Sequence, residues 1–122
     1  MQIAQKNFYK KLLGRAGEVR AANFLKKKGL EIIETNYKTR VGEIDIIAKD
    51  KNAIVFIEVK TRSDDGYGAP AEAVDRKKRE KYFKTATEYL VKNEQTESEC
   101  RFDVVEINNG EINHIIDAFC IE

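Results

Sequence analysis

Glu43 and Asp45 stand two residues apart in one strand-like stretch, and Glu58 and Lys60 stand two apart in the next. Side chains alternate faces along a strand, so each pair is expected to share a face, and neighbouring antiparallel strands can bring the two pairs together. Glu58 follows Ile54 and Phe56 on its face, so a carboxylate emerges at the end of an apolar row, where burial is costly without a partner. A hard divalent cation is one such partner: Mg²⁺ prefers carboxylate and carbonyl oxygens and keeps several waters, so two or three converging acids plus solvent make a site. Asp45 and Glu58 are the ligands this spacing picks out. Lys60 is placed to stabilise developing negative charge or to orient a nucleophilic water. Cross-strand salt bridges on a solvated strand face would account for the same residues without any chemistry, and spacing alone favours that plainer reading.

The elements that must position these residues are legible along the chain. From about Ala4 to Lys28 the sequence is rich in helix formers and ends at Gly29, which suits the left-handed position after a helix. Three strand-like stretches follow, Leu30 to Tyr37, Gly42 to Lys49 and Ala53 to Thr61, and their short links favour an antiparallel meander. The third is apolar on both faces over Ile54, Val55, Phe56 and Ile57, as a central strand covered on both sides must be. A loop of small and polar residues, Ser63 to Ala71, leads to Asp75, which caps a second helix running to about Lys92. Its apolar face carries Tyr82, Phe83, Ala86, Tyr89 and Leu90. Two strands, Phe102 to Ile107 and Glu111 to Ala118, close the order, joined by the turn pair Asn109-Gly110. A helix between the third and fourth strands implies a right-handed parallel crossover, so the expected fold is α/β, a mixed central sheet flanked by helices in the order α-β-β-β-α-β-β.

Length and composition set the bounds. A chain of 122 residues fits one domain spanning 1–122, and 42% hydrophobic with 35% charged residues gives both a core and a solvated surface. The net charge of +1, from 22 Lys+Arg against 21 Asp+Glu, excludes a uniformly basic nucleic-acid coat, so any such face must be local. Cys100 and Cys120 lie far apart without the spacing of a zinc or redox motif and read as reduced thiols. The longest uninterrupted apolar run, Ala53 to Ile57, is too short to span a membrane, and no signal-peptide pattern is visible; the expected location is cytoplasmic.

Further residues bear on the site. Glu18, Ala21 and Leu25 share one helical face, so the Glu18 carboxylate edges a buried stripe; the plainer reading pairs it with Arg15 or Lys26. Gly14 and Gly17 weaken the helix, which is tolerated where a helix approaches a sheet or ligand closely. Arg76, Lys77, Lys78 and Arg79 occupy the first turn of the second helix, where the dipole disfavours cations; a phosphate backbone would offset that penalty, and a salt-screened solvated face is the plain alternative. Arg62 and Tyr67 border the same region, as phosphate holder and base-stacking ring, although Asp64 and Asp65 beside them repel phosphate. His114 has no serine or cysteine partner for triad chemistry and reads as a structural or surface residue.

The run Gly42-Glu43-Ile44-Asp45-Ile46-Ile47-Ala48, followed by Phe56-Ile57-Glu58-Val59-Lys60-Thr61-Arg62, resembles the PD-(D/E)XK nuclease superfamily, in the YraN-like branch (UPF0102) related to archaeal Holliday junction resolvases. Gly14-Arg15-Ala16-Gly17-Glu18 and Ala73-Val74-Asp75 with its basic run extend the resemblance over nearly the whole chain. Ile44 stands where the superfamily's nominal proline would be. The resemblance implies a restriction-endonuclease-like fold, Asp45 and Glu58 as ligands of Mg²⁺ (with Mn²⁺ as substitute), Lys60 serving the hydrolytic water, and Glu18 as a helix-borne acid near the metal. Glu43 is then an acid behind the ligands or the solvent-facing partner of an exposed lysine. The expected function is a metal-dependent endonuclease acting on DNA, branched or single-stranded, with Arg62 and the run Arg76 to Arg79 on the nucleic acid. Its rivals are a non-catalytic nucleic-acid-binding module and a protein-interaction subunit on an ancestral scaffold. A homodimer would suit a symmetric four-way junction, and no base-reading motif selects a substrate.

Overall fold

The computed structural model describes residues 2–62 and 76–119, with side chains within 15–61 and 76–119. The expected loop with Asp64, Asp65 and Tyr67, the cap Asp75 and Cys120 lie outside the described residues, as do the side chains of Gly14's turn, Lys10, Lys11 and Arg62. The elements are α1 (Gln2–Lys27), β1 (Glu31–Lys38), β2 (Glu43–Asp50), β3 (Ala53–Arg62), α2 (Arg76–Lys92), β4 (Cys100–Asn108) and β5 (Glu111–Phe119). They form one five-stranded sheet in the order β1-β2-β3-β4-β5. The first three strands are an antiparallel meander, β3 and β4 are parallel across the α2 crossover, and β5 returns antiparallel. This is the mixed α/β architecture and element order expected from the sequence, and it is consistent with a nuclease-like fold.

Local chemistry explains the boundaries. Gly29 ends α1 at φ 101°, with its amide on the Lys26 carbonyl and the Leu30 amide on the Leu25 carbonyl, each at 3.0 Å, which satisfies carbonyls that the helix end would otherwise leave open. Asn109 and Gly110 both take positive φ, as a two-residue hairpin turn of this twist requires.

The helices cover opposite faces of the sheet. On one face Ala21 and Leu25 of α1 pack with Ile46, Ala48, Val55, Ile57, Val105 and Ile107. On the other, Tyr82, Ala86 and Tyr89 of α2 pack with Ile44, Ile47, Ile54, Phe56, Phe102, Val104 and Phe119. β3 therefore is the doubly covered strand, and its apolar run reflects the two cores it serves. In β2 the alternation breaks at Asp45, because Ile44 and Ile47 join the α2-side core whereas Ile46 and Ala48 join the α1-side core. The pairing of β2 with β3 runs from Asp50↔Ala53 to Ile46↔Ile57, and Asp45 lies just past its end.

Gly17 lets α1 approach the sheet closely. A Cβ there would collide with the Thr61 hydroxyl oxygen of β3. Gly17→Ala is thus expected to lower stability by about 1 kcal/mol, the collision outweighing the gain in helix propensity. In a Thr61→Ala background the same substitution should stabilise, since the obstructing oxygen is gone. Urea denaturation of the four proteins of this cycle measures the coupling, and stabilisation by Gly17→Ala alone would show that Thr61 yields freely.

Candidate functional site

The departure of β2 from β3 opens the site. Beyond the last paired residues, the β3 strand has a free backbone donor at Val59, and the Asp45 carboxylate takes it: Val59 N–H donates to Asp45 Oδ2 at 2.8 Å. Two residues along β2, Glu43 lines the same cleft, as do Glu58 and Lys60 from β3 and Lys78, Lys81 and Tyr82 from α2. The cleft holds about 370 Å³ and is completed by Gly42 and Val59.

Glu58 lies at its centre, only 5% exposed. The Lys78 ammonium is 3.1 Å from its Oε1 and the Lys60 ammonium 3.6 Å from its Oε2. Oε2 is buried and accepts no hydrogen bond of good geometry. Asp45 is raised from 3.8 to about 7, first by burial and then by the charges of Glu18, Glu58 and Glu43, against the opposing effect of the Val59 amide. Lys60 is held below the ordinary lysine value, chiefly by burial and by its hydrogen bond with Lys78, while the charge of Glu58 works the other way. The Tyr82 hydroxyl, deep in the cleft, is driven up by burial and by Asp45 and Glu58.

The residues expected from the sequence are distributed as follows. Asp45, Glu58, Lys60 and Glu43 meet in one cleft. Glu43 is also the partner of an exposed lysine, Lys38, at 3.9 Å. Glu18 lies apart, lining a second cleft of about 380 Å³ between α1 and β1 with Arg15, Lys26 and Asn36; its charge still reaches Asp45, and its Oε1 is buried without a hydrogen bond. The physical reason is that α1 covers the face of the sheet opposite to α2. The basic run does not act as one surface: Arg76, Lys77 and Arg79 are exposed, whereas Lys78 turns inward onto Glu58. Sequence reasoning missed that inward turn and the place of Lys81 and Tyr82. The signal was present, because Lys78 precedes Tyr82 by four residues and so shares the face that buries it.

A divalent ion fits this donor set. Two hard oxygen donors converge, one with a buried oxygen still lacking a hydrogen bond and the other pushed toward neutrality by burial and by the acids around it; both would be relieved by a cation. Among the described residues no three acidic, histidine or cysteine side chains converge as a full ligand set, so water would fill the remaining positions.

A second polar cluster lies away from the cleft. Asp103 of β4 is fully buried. It accepts from Arg101 Nε at 3.0 Å, from His114 Nε2 at 2.7 Å and from the Asp117 amide at 2.9 Å. The Lys28 ammonium donates to His114 Nδ1 at 2.8 Å, which fixes the ring proton on Nε2. Asp117 has φ 56° where the register of β5 slips against β4, so Asp103 satisfies an amide that the slipped ladder leaves over. His114 is structural, in line with one of the two roles expected for it.

Comparison with known proteins agrees with the extent of these motifs. The model of "Uncharacterised protein family UPF0102" matches residues 17–107. The chain is 47% identical over 108 residues to a UPF0102 protein of Clostridioides difficile (strain 630), covering 87% of this chain and 95% of that one. It is 45% identical over 121 residues to one of Caldanaerobacter subterraneus subsp. tengcongensis, covering 93% and 99%, and 43% identical over 109 residues to one of Persephonella marina, covering 89% and 94%.

Proposed function

The chain belongs to the UPF0102 family, and on that premise we propose that it is a PD-(D/E)XK-type, metal-dependent endonuclease that hydrolyses phosphodiester bonds in DNA. The observation that carries this reading is Glu58: a strand carboxylate buried at the end of an apolar row, beside Asp45 and facing two lysines in one open cleft. A purely structural ion pair needs neither the second acid nor the cleft.

In this reading Asp45 and Glu58 hold Mg²⁺ or Mn²⁺, which supplies Lewis acidity toward phosphate and water. The Val59 amide keeps the Asp45 carboxylate oriented into the cleft. Lys60, held below the ordinary lysine value, hydrogen-bonds the attacking water or a phosphate oxygen at Nζ and stabilises charge there. Glu18 acts on Asp45 through its charge, and the exposed Arg76, Lys77 and Arg79 meet the phosphate backbone with Arg62. Nucleic acid as the partner, a two-fold dimer on branched DNA and a cytoplasmic location belong to the same proposal. No helix among the described residues is long and apolar enough to cross a membrane.

One observation favours the rival, a non-catalytic nucleic-acid-binding module: Lys78 and Lys60 already give Glu58 counter-charge. The two readings part in a cleavage assay with Mg²⁺ and Mn²⁺ on single-stranded, duplex, flap and four-way-junction DNA, beside Glu58→Ala purified identically. Metal-dependent cutting that falls to background in the variant is the expected result. Binding without cutting by either protein would transfer the assignment to the module.

A further inference from the structure

The position of Lys78 has no explanation in a simple phosphate grip. Its ammonium sits 3.1 Å from Glu58 Oε1, inside the cleft, while its neighbours Arg76, Lys77 and Arg79 are exposed. It lies in the first turn of α2, where the helix dipole disfavours a positive charge and no acidic residue of that turn offsets it. What favours its charge there, against burial, is the hydrogen bond with Lys60, then the charge of Glu58 and that of Asp45 across the cleft.

We infer that the Lys78 ammonium is a built-in counter-cation that occupies Glu58 until a divalent ion arrives, so that ion binding and withdrawal of Lys78 are a single exchange. The inference rests on the metal-site reading above and deepens it. Three acids, Glu43, Asp45 and Glu58, and three lysines, Lys60, Lys78 and Lys81, line the cleft, so its acidic and basic groups are balanced as it stands. A divalent ion placed on Glu58 beside the ammonium groups of Lys60 and Lys78 would be strongly repelled at these distances. One lysine must leave, and the geometry selects which. The Lys60 side chain is 22% exposed and rises from β3, the same strand as Glu58, whereas the Lys78 side chain is 44% exposed and reaches Glu58 on a flexible stem. Lys78 can swing to solvent or to a phosphate arriving at the N-terminus of α2. A phosphodiester that accepts this ammonium would therefore raise the affinity of the cleft for its metal, and the metal would release Lys78 for the phosphate.

The test is Mn²⁺ binding, read from the free-ion electron paramagnetic resonance signal, on the whole protein and on Lys78→Met, Lys77→Met and Glu58→Gln. Lys78→Met is expected to bind Mn²⁺ about tenfold more tightly, since it keeps the stem and removes the competing charge. Lys77→Met, the same charge change at an exposed neighbour, should stay within about twofold because solvent and salt screen it. Binding that is unchanged or weaker in Lys78→Met overturns the exchange while leaving the metal site intact; an equal gain in Lys77→Met overturns it as well, by reducing it to net charge. Glu58→Gln binding as tightly as the wild type would remove the metal-site reading, and the exchange with it. A second measurement needs no variant. Acylation of Lys78 in the wild-type protein, followed by mass spectrometry with exposed Lys51 as internal reference, should become several-fold faster at saturating Mn²⁺. A rate that does not rise overturns the proposal.

Discussion

Asp45→Asn is expected to raise the stability of the metal-free protein at pH 8 by about 2–4 kcal/mol, while abolishing any activity that depends on the cleft. In the folded protein the Asp45 carboxyl is raised from 3.8 to about 7, mainly by burial and then by Glu18, Glu58 and Glu43. Between those two values the folded chain holds a proton that the unfolded chain has released. The stability contributed by this group is therefore fully present below about pH 4 and is lost as the pH rises through about 7. A move of that size carries at most about 4 kcal/mol, and relaxation around the charged form reduces it. Asparagine keeps an oxygen for the Val59 amide and never carries the charge, so it escapes the loss.

The comparison should be made by chemical denaturation from pH 4 to pH 8. The advantage of Asp45→Asn is expected to be near zero at the acid end, to grow through pH 5 to 7 and to level off above. Divalent metal should cancel most of that advantage at pH 8, because an ion at a hundredfold excess over its dissociation constant adds about 2.7 kcal/mol to the protein that binds it. A variant less stable than the wild type by the same margin at every pH would mean that Asp45 is held for its contacts, not strained for its charge.

Asp103→Ala is expected to cost about 3–5 kcal/mol and, in a domain of this size, to come close to unfolding it. Burial alone would raise Asp103, but the bonds from His114, Arg101 and the Asp117 amide overcome it and hold the carboxyl below its ordinary value. Its contribution to stability is thus present at neutral pH and lost as the medium is acidified through the folded value. Removing the carboxylate leaves the Asp117 amide and the His114 Nε2–H without their acceptor, although Arg101 keeps Asp50 at 3.0 Å and Lys28 keeps His114 Nδ1 at 2.8 Å. Urea unfolding at pH 7 measures the cost. A loss under about 1 kcal/mol would show that water or a local shift replaces the carboxylate easily. The cleft is distant in function from this cluster, so Mn²⁺ affinity in whatever folded protein remains should not change.

These two acids mark the boundary of what could be read from the chain. Element order, the meander, the doubly covered β3 and the apolar face of α2 were legible because each depends on local periodicity and turn chemistry. Gly29, the pair Asn109-Gly110 and the run Ile54 to Ile57 each state their own conformation. The convergence of Asp45, Glu58 and Lys60 was legible for a related reason: two strands joined by a tight turn leave few registers, and a buried carboxylate after an apolar row announces its need for a partner.

What the tertiary structure alone decided concerns contacts between elements far apart in sequence. Strict alternation along β2 does not predict the break at Asp45, which follows from where β2 stops pairing with β3 and leaves the Val59 amide to a side chain. Nor does helix periodicity say what lies opposite. Lys78 reads as one of four surface cations until the crossover packs α2 against β3 and sets its ammonium on Glu58. Glu18 belongs to the buried edge of α1 by its spacing, yet the choice of sheet face gives it a cleft of its own, joined to Asp45 only through charge. Asp103 and His114 gave no sign of each other in the sequence, because the pairing of β5 with β4 that sets them side by side exists only once the sheet has formed. Sequence fixes such features only indirectly: local preference acts over a few residues, whereas the pairing of charges across the fold waits on the one packing that buries both cores together.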